Sequence, residues 1–127
     1  MPVFLKSNAK CEVIMKLVKA YIRPMLLEDV YTALRNEGYC CMTVFEGEGT
    51  GRFSDPEDQH GSLSFPAMHS HVAKIEIAAE TENVDAITEI IKKHGRTGHK
   101  GDGIVFVSPI EQVTRIRDGK QGAGILN

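Results

Sequence analysis

The stretch TGHKGDGIVFV, residues 97–107, sets three glycines, a lysine and an aspartate ahead of a run of apolar β-formers. Gly101 and Gly103 can both adopt positive φ, which lets successive backbone N–H groups converge on a phosphate. Asp102 between them can hold the loop or accept a bond from a ligand hydroxyl. Read alone, the same residues also make an ordinary helix-to-strand turn. Further on, Arg115 and Arg117 stand two apart on an expected strand and point the same way, and guanidinium forks suit phosphate; a solvated edge strand would look alike. Gly47, Gly49 and Gly51, followed by Arg52, repeat the glycine theme and could equally be a hinge. His69 and His71, with His60 or an acid, offer donors for a divalent metal, and the alternative is a polar, solvated loop. His94 and His99 lie near a helix end and the glycine loop, where His99 would touch phosphate or cap carbonyls.

These residues need elements to position them. Val18, Ala20 and Ile22 alternate with Lys19, Tyr21 and Arg23, which is strand periodicity, and Pro24 ends the strand. LLEDVYTALRNEG places Leu27, Val30 and Leu34 on one helical face, with Gly38 as its stop. CMTVFE, 41–46, reads as a second strand. The irregular stretch 47–70 follows, and loops this long in a small domain are usually functional or disordered. HVAKIEIAAE is a third strand. TENVDAITEIIKKHG is a helix with Thr81 as N-cap, a Val84, Ile87 and Ile91 stripe, and Gly95 as its close. IVFV and VTRIR supply strands four and five. The order β-α-β-β-α-β is the ferredoxin-like pattern: an α+β fold with an antiparallel sheet, two helices on one face and a short C-terminal strand. The helices cover one face, so the other meets solvent or another subunit. Residues 1–14 lack sustained periodicity and read as an appendage or upstream start ahead of a domain over 15–127.

The bulk properties narrow the classes. The 127 residues suit one domain, and 42% apolar with 25% charged residues is a globular composition. A net charge of −2 gives no reason to expect nucleic acid or an anionic membrane. Neither a membrane-length apolar run nor a signal-peptide core is present, so a cytoplasmic location without membrane insertion is expected. Three cysteines, two of them adjacent at 40 and 41, read as free thiols of a reducing compartment.

VKAYIRP, GYCCMTVFEGEGTGR, KIEI, TGHKGDGIVFV and VTRIRDGKQG together resemble the PII signal-transduction proteins of nitrogen regulation, from Met15 to the C-terminus. The resemblance implies a homotrimer that binds an adenine nucleotide (ATP, ADP or AMP) in clefts between neighbours. The positions matching the nucleotide site are Thr43, Gly51, Arg52, Glu76, Thr97, Gly101, Asp102 and Gly103, with Arg115 and Arg117 reaching across the interface. The long loop, 51–70, matches the T-loop, which docks onto a transporter, an enzyme or another regulator; Phe53, Asp55 and Phe65 are its candidate partner contacts. Such proteins are sensors rather than enzymes. Departures are also plain. Family members that read 2-oxoglutarate through Mg-ATP carry a glutamine where this chain has Phe53 and a lysine where it has Val72. A phosphate-contacting lysine is replaced by Ile104, and a modifiable tyrosine by Phe65. A divergent regulator tuned to another signal is the expectation. The runner-up is a metal-responsive trimer using His60, His69 and His71, linked to metal efflux or tolerance. Slow nucleotide hydrolysis ranks last, because no acid or histidine pair is placed as base and nucleophile.

Overall fold

Strand β1, Met15–Ile22, buries Val18, Ala20 and Ile22 on one side and leaves Lys19 and Tyr21 half-buried on the other. The computed structural model describes residues 15–39, 41–51, 55–60 and 70–126. A 3₁₀ turn, Pro24–Leu26, follows β1 with proline in its first positions, where the missing N–H costs nothing. It leads into helix α1, Leu27–Asn36, whose Val30 and Leu34 lie one turn apart and are fully buried. Glu28 and Asp29 occupy the first turn and Arg35 the last, each at the favourable end of the helix dipole. Gly38, at φ 92°, reverses the chain, and the Gly38 and Tyr39 amides donate back to the Arg35 and Leu34 carbonyls.

Strand β2 runs Thr43–Gly49, two residues later than CMTVFE implied and three longer at its end. Strand β3 spans Ser70–Glu80 and passes directly into helix α2, Thr81–Gly95. The N-cap there is Glu80, without a side-chain capping bond, so Thr81 is the first helical residue rather than the cap. Helix α2 buries Val84, Ile87 and Ile91. Gly95 is buried too, and a Cβ there would sit in ordinary contact with Ile22 and Val30 at 3.4 and 3.6 Å. Strand β4, Ile104–Pro109, completes the sheet.

The sheet order is β2-β3-β1-β4, with every neighbouring pair antiparallel. Both helices cover the face of Val18, Ala20, Ile22, Ala73, Ile75 and Ile77, forming one core. Each large aliphatic side chain fully buried there contributes about 1.5–3 kcal/mol. This is the expected ferredoxin-like arrangement, with one correction. The C-terminal strand over VTRIR is reduced to a single bridge between Thr114 and Gln121. Residues 116–118 form a turn, closed by Gly119 N–H donating to the Arg115 carbonyl at 2.8 Å. Asp118 and Gly119 favour turning over extension, and they override the alternation of the preceding residues.

The opposite face of the sheet carries Lys19, Tyr21, Phe45, Lys74, Glu76 and Phe106 in cross-strand register. Lys74 bonds Glu76 at 3.2 Å and sits 4.5 Å from the Phe45 ring centre, while Tyr21 and Phe106 meet edge to face. Among the described residues no helix is long and apolar enough to cross a membrane.

Candidate functional site

The β1 terminus, the base of the long loop and the 97–103 turn all lie at one end of the sheet. Register explains this: Tyr21 pairs with both Lys74 and Ile104, and the strands then leave the sheet side by side. Between them opens a cleft of about 550 Å³. Arg23, Gly101, Gly103, Glu48, Asp58 and His71 are among the residues that line it.

Arg23 ties these segments together. Its guanidinium bonds the loop residue Asp55, donates to Asp102 Oδ1 at 3.1 Å, and donates to the Lys100 carbonyl at 2.9 Å. Only 11% of its side chain is exposed, so its charge is compensated by partners more than by water. Sequence reasoning missed Arg23 as a site residue; the available signal was its place between the end of β1 and Pro24. Asp55 was expected to meet a partner protein. Here its carboxylate turns inward to Arg23, its amide donates to Ser70 Oγ at 3.0 Å, and its Oδ1 accepts from the Glu57 amide at 2.9 Å.

The glycine turn closes on its own aspartate. Asp102 Oδ2 accepts from the Thr97 and Gly98 amides at 2.9 and 2.8 Å, and Oδ1 accepts from the Thr97 hydroxyl. Burial pushes the Asp102 carboxyl up, but the Thr97 hydroxyl, the Thr97 and Gly98 amides and Arg23 outweigh it and hold the pKa at about 2. Of the two sequence roles open to Asp102, holding the loop is the one its bonds display. Gly101 and Gly103 have φ of 103° and 99°. A Cβ at Gly101 would lie 2.8 Å from Asp55 Cα, and one at Gly103 would lie 1.8 Å from the Tyr21 carbonyl oxygen. The glycines are therefore required by close approach of backbone to backbone, whatever else the turn binds.

Other expected residues are placed less centrally. Thr43 and Glu76 are register partners on the open face, and neither lines the cleft. Gly51, at φ 79°, begins the long loop. Arg115 is not on a strand: it forms a two-pronged pair with Asp118 at 3.1 and 2.7 Å, and Arg117 is exposed in the turn. This pair, followed by the Lys120 amide, lowers the Asp118 pKa. Arg52, Phe53, Phe65 and His69 lie outside the described residues. Val72 and Ile104 both line the cleft and make that part of its wall apolar.

At the loop base a second constellation forms. His60 Nε2 lies 3.3 Å from Glu48 Oε1, and His71 Nε2 lies 3.9 Å from Glu48 Oε2. The two imidazoles stack with centres 4.3 Å apart. Asp58 sits behind them; the His71 amide donating to its Oδ2 at 2.9 Å is the first cause of its lowered pKa. The fold thus brings His60 and His71 together, with Glu48 as the acid that sequence reasoning left unnamed. Its signal was positional: Glu48 is the β2 residue in register with His71.

Known proteins share this architecture. The family model for nitrogen regulatory protein P-II matches residues 15–120. Nitrogen regulatory protein P-II of Microchaete diplosiphon is 40% identical over 107 residues, spanning 84% of this chain and 96% of its own length. Nitrogen regulatory protein P-II 2 of Methanothermobacter thermautotrophicus is 38% identical over 110 residues, spanning 87% and 96% respectively. Among solved structures, Arabidopsis thaliana PII bound to citrate superposes with a TM-score of 0.66 at 27% identity, covering 87% of each chain. A family match over most of the chain, relatives of nearly the same length and a shared fold converge on one conclusion: the chain belongs to the nitrogen regulatory protein P-II family.

Proposed function

We propose that this P-II family regulator is a trimeric adenine-nucleotide sensor that controls a protein partner, such as a membrane transporter or an enzyme, through the loop 51–70. The observation that carries the reading is the Arg23 bridge: one guanidinium joins Asp55 of the loop to Asp102 and the Lys100 carbonyl of the glycine turn. An anion seated at the turn competes for that guanidinium and so alters the hold on the loop. A ligand shifts a conformational equilibrium only through such differential contacts.

The charges around the cleft specify what a nucleotide needs. Glu46, Glu48, Asp55 and Asp58 line it beside Arg23 and His71. A polyphosphate there requires added positive charge, from a divalent ion or from guanidiniums of a neighbouring subunit. Arg115 and Arg117 fill the second role in a trimer. Releasing Arg115 from Asp118 costs little, since the pair is solvent-exposed and its attraction is screened by water. Thr97, Gly101, Asp102 and Gly103 shape the phosphate turn, while Thr43, Gly51, Arg52 and Glu76 complete the nucleotide's surroundings. The Arabidopsis relative is bound to citrate, itself an anion, which supports the same class of ligand here. The protein is a cytoplasmic binding module rather than an enzyme. The runner-up, a metal-responsive trimer whose whole function rests on loop histidines, leaves the Arg23 bridge and the glycine turn unused.

Titration calorimetry with ATP, ADP and AMP, with and without magnesium, tests the reading. Binding of at least one nucleotide is expected, with Arg115→Ala or Arg117→Ala weakening it by about 1.5–3 kcal/mol for each charge-assisted hydrogen bond removed. Millimolar 2-oxoglutarate should leave ATP affinity unchanged, because Phe53 offers no oxygen to complete the metal's shell, Val72 offers no cation to the distal carboxylate, and a buried unpaired carboxylate is heavily penalised. Background heats with all three nucleotides would remove the proposal. A tenfold tightening by 2-oxoglutarate, about 1.4 kcal/mol, would refute the reading of those substitutions.

A further inference from the structure

Glu48, His60 and His71 each present one donor atom, and all three atoms lie within 4.8 Å of one another. We infer that they form a binding site for a borderline divalent transition ion of the zinc class, which fastens the long loop to the base of strands β2 and β3. Zinc bonds to imidazole nitrogen and carboxylate oxygen are about 2.0–2.2 Å, so adjacent ligand atoms of a tetrahedral site stand roughly 3.3–3.5 Å apart. His60 Nε2 is already at that distance from Glu48 Oε1, 3.3 Å, while His71 Nε2 lies 3.9 Å from the other carboxylate oxygen, Oε2. Glu48 and His71 are 39% and 58% exposed at their side chains, so rotation closes the difference without moving the strands.

The second line of argument is the orientation of the rings. His60 Nδ1 is 3.0 Å from the Asp58 carbonyl oxygen. A carbonyl only accepts, so Nδ1 carries the proton and, in the neutral ring, Nε2 turns its lone pair toward Glu48. His71 Nδ1 is 3.3 Å from Asp58 Oδ2, with the same consequence for its Nε2. One aspartate thus backs both rings, one through its carbonyl and one through its carboxylate. Metal-ligating histidines are held in this way, with the distal nitrogen donating to a carboxylate or carbonyl. A single dication answers all three donors at once. Two imidazoles with one carboxylate suit zinc, copper or nickel, whereas magnesium prefers oxygen ligands throughout.

The placement gives the site its consequence. Glu48 is on β2, His71 faces it on β3, and His60 belongs to the loop between them. Metal therefore links the loop to both strands, at a point separate from the Arg23 hold on Asp55. The loop would have two holds, one at Arg23 sensitive to anions and one at Glu48 and the histidines sensitive to metal. This inference stands on the loop cluster alone and does not require nucleotide binding.

The test is a zinc titration of the full chain, free of nucleotide, followed by calorimetry and by limited proteolysis within the loop. One equivalent per chain is expected at micromolar affinity or tighter, with slower loop cleavage. Cobalt in place of zinc should give the intense visible absorption of a tetrahedral ion. Glu48→Gln, His60→Gln and His71→Gln should each weaken binding at least tenfold and abolish the protection, while His94→Gln leaves both unchanged. Metal-free melting curves, expected to match those of the unaltered chain, separate lost ligation from lost fold. Zinc bound with full affinity by the His60→Gln/His71→Gln double variant, or no binding up to 100 micromolar zinc (about 5.5 kcal/mol of affinity), would overturn the assignment. Nucleotide titrations run with magnesium and without zinc test the cleft separately, so either proposal can fail alone.

Discussion

Asp102 shows how a residue chosen for a binding role can be committed to structure. Its carboxylate organises the turn through the Thr97 and Gly98 amides and meets Arg23 from the side. The folded pKa is held at about 2, against 3.8 for an unperturbed aspartate. A depressed folded value means the contribution is complete above the unfolded pKa and is lost as pH falls through the folded one. The window is therefore roughly pH 4 down to pH 2. Each pKa unit corresponds to about 1.4 kcal/mol, and partial solvent screening brings the whole contribution to about 1–2 kcal/mol. Urea denaturation of Asp102→Asn should show that loss at pH 7 and a gap from the unaltered chain that narrows toward pH 2. A gap constant across this range would contradict the assignment.

At the scale of elements, the critical junction is where the glycine turn enters β4. Gly103 combines a φ of 99° with a Cβ position 1.8 Å from the Tyr21 carbonyl, so any side chain must push β4 away from β1. The left-handed backbone alone costs about 1–2 kcal/mol and overpacking adds about 1–3 kcal/mol. Gly103→Ala should therefore lose about 3 kcal/mol or more. Gly119 supplies the control: its φ is 74°, but a methyl group there would meet nothing within 4 Å. Gly119→Ala should lose only the backbone cost, about 1–2 kcal/mol. Denaturation midpoints at unchanged slope measure both. Equal losses at the two positions would show that steric approach to Tyr21 does not set the requirement for glycine.

The whole molecule leaves one sheet face open. Phe45 and Phe106 are 45% and 49% exposed there, flanking the Lys74–Glu76 pair, and Ile116 of the C-terminal turn is 99% exposed. Three chains closed about an axis would cover that face, bring Arg115 and Arg117 toward a neighbour's cleft and bury the ring edges. Light scattering is expected to give about three times the 14.0 kDa of one chain. Phe106→Glu, which sets an acid on that face, should shift the population toward monomer. A mass of 14.0 kDa for the unaltered protein at micromolar concentration would contradict the trimer.

The sequence by itself determined the type and order of the four sheet strands and the two helices. Alternation at Val18, Ala20 and Ile22, the helical stripe of Val84, Ile87 and Ile91, and Gly38 as a stop are local patterns imposed by the periods of strand and helix. It also placed the glycine turn and put His60 and His71 among the candidate metal donors. Tertiary structure decided which distant charges meet. Arg23 lies 32 positions from Asp55 and 79 from Asp102, and only strand register and loop closure bring the three together. Glu48 joined the histidines for the same reason, as the β2 residue facing His71. The alternating C-terminal VTRIR failed to become a strand because a turn at Asp118 and Gly119 folded it back on itself. Periodicity records which side of an element is apolar, whereas a site depends on how separate elements are aligned, and that alignment is fixed by the packing of the whole chain.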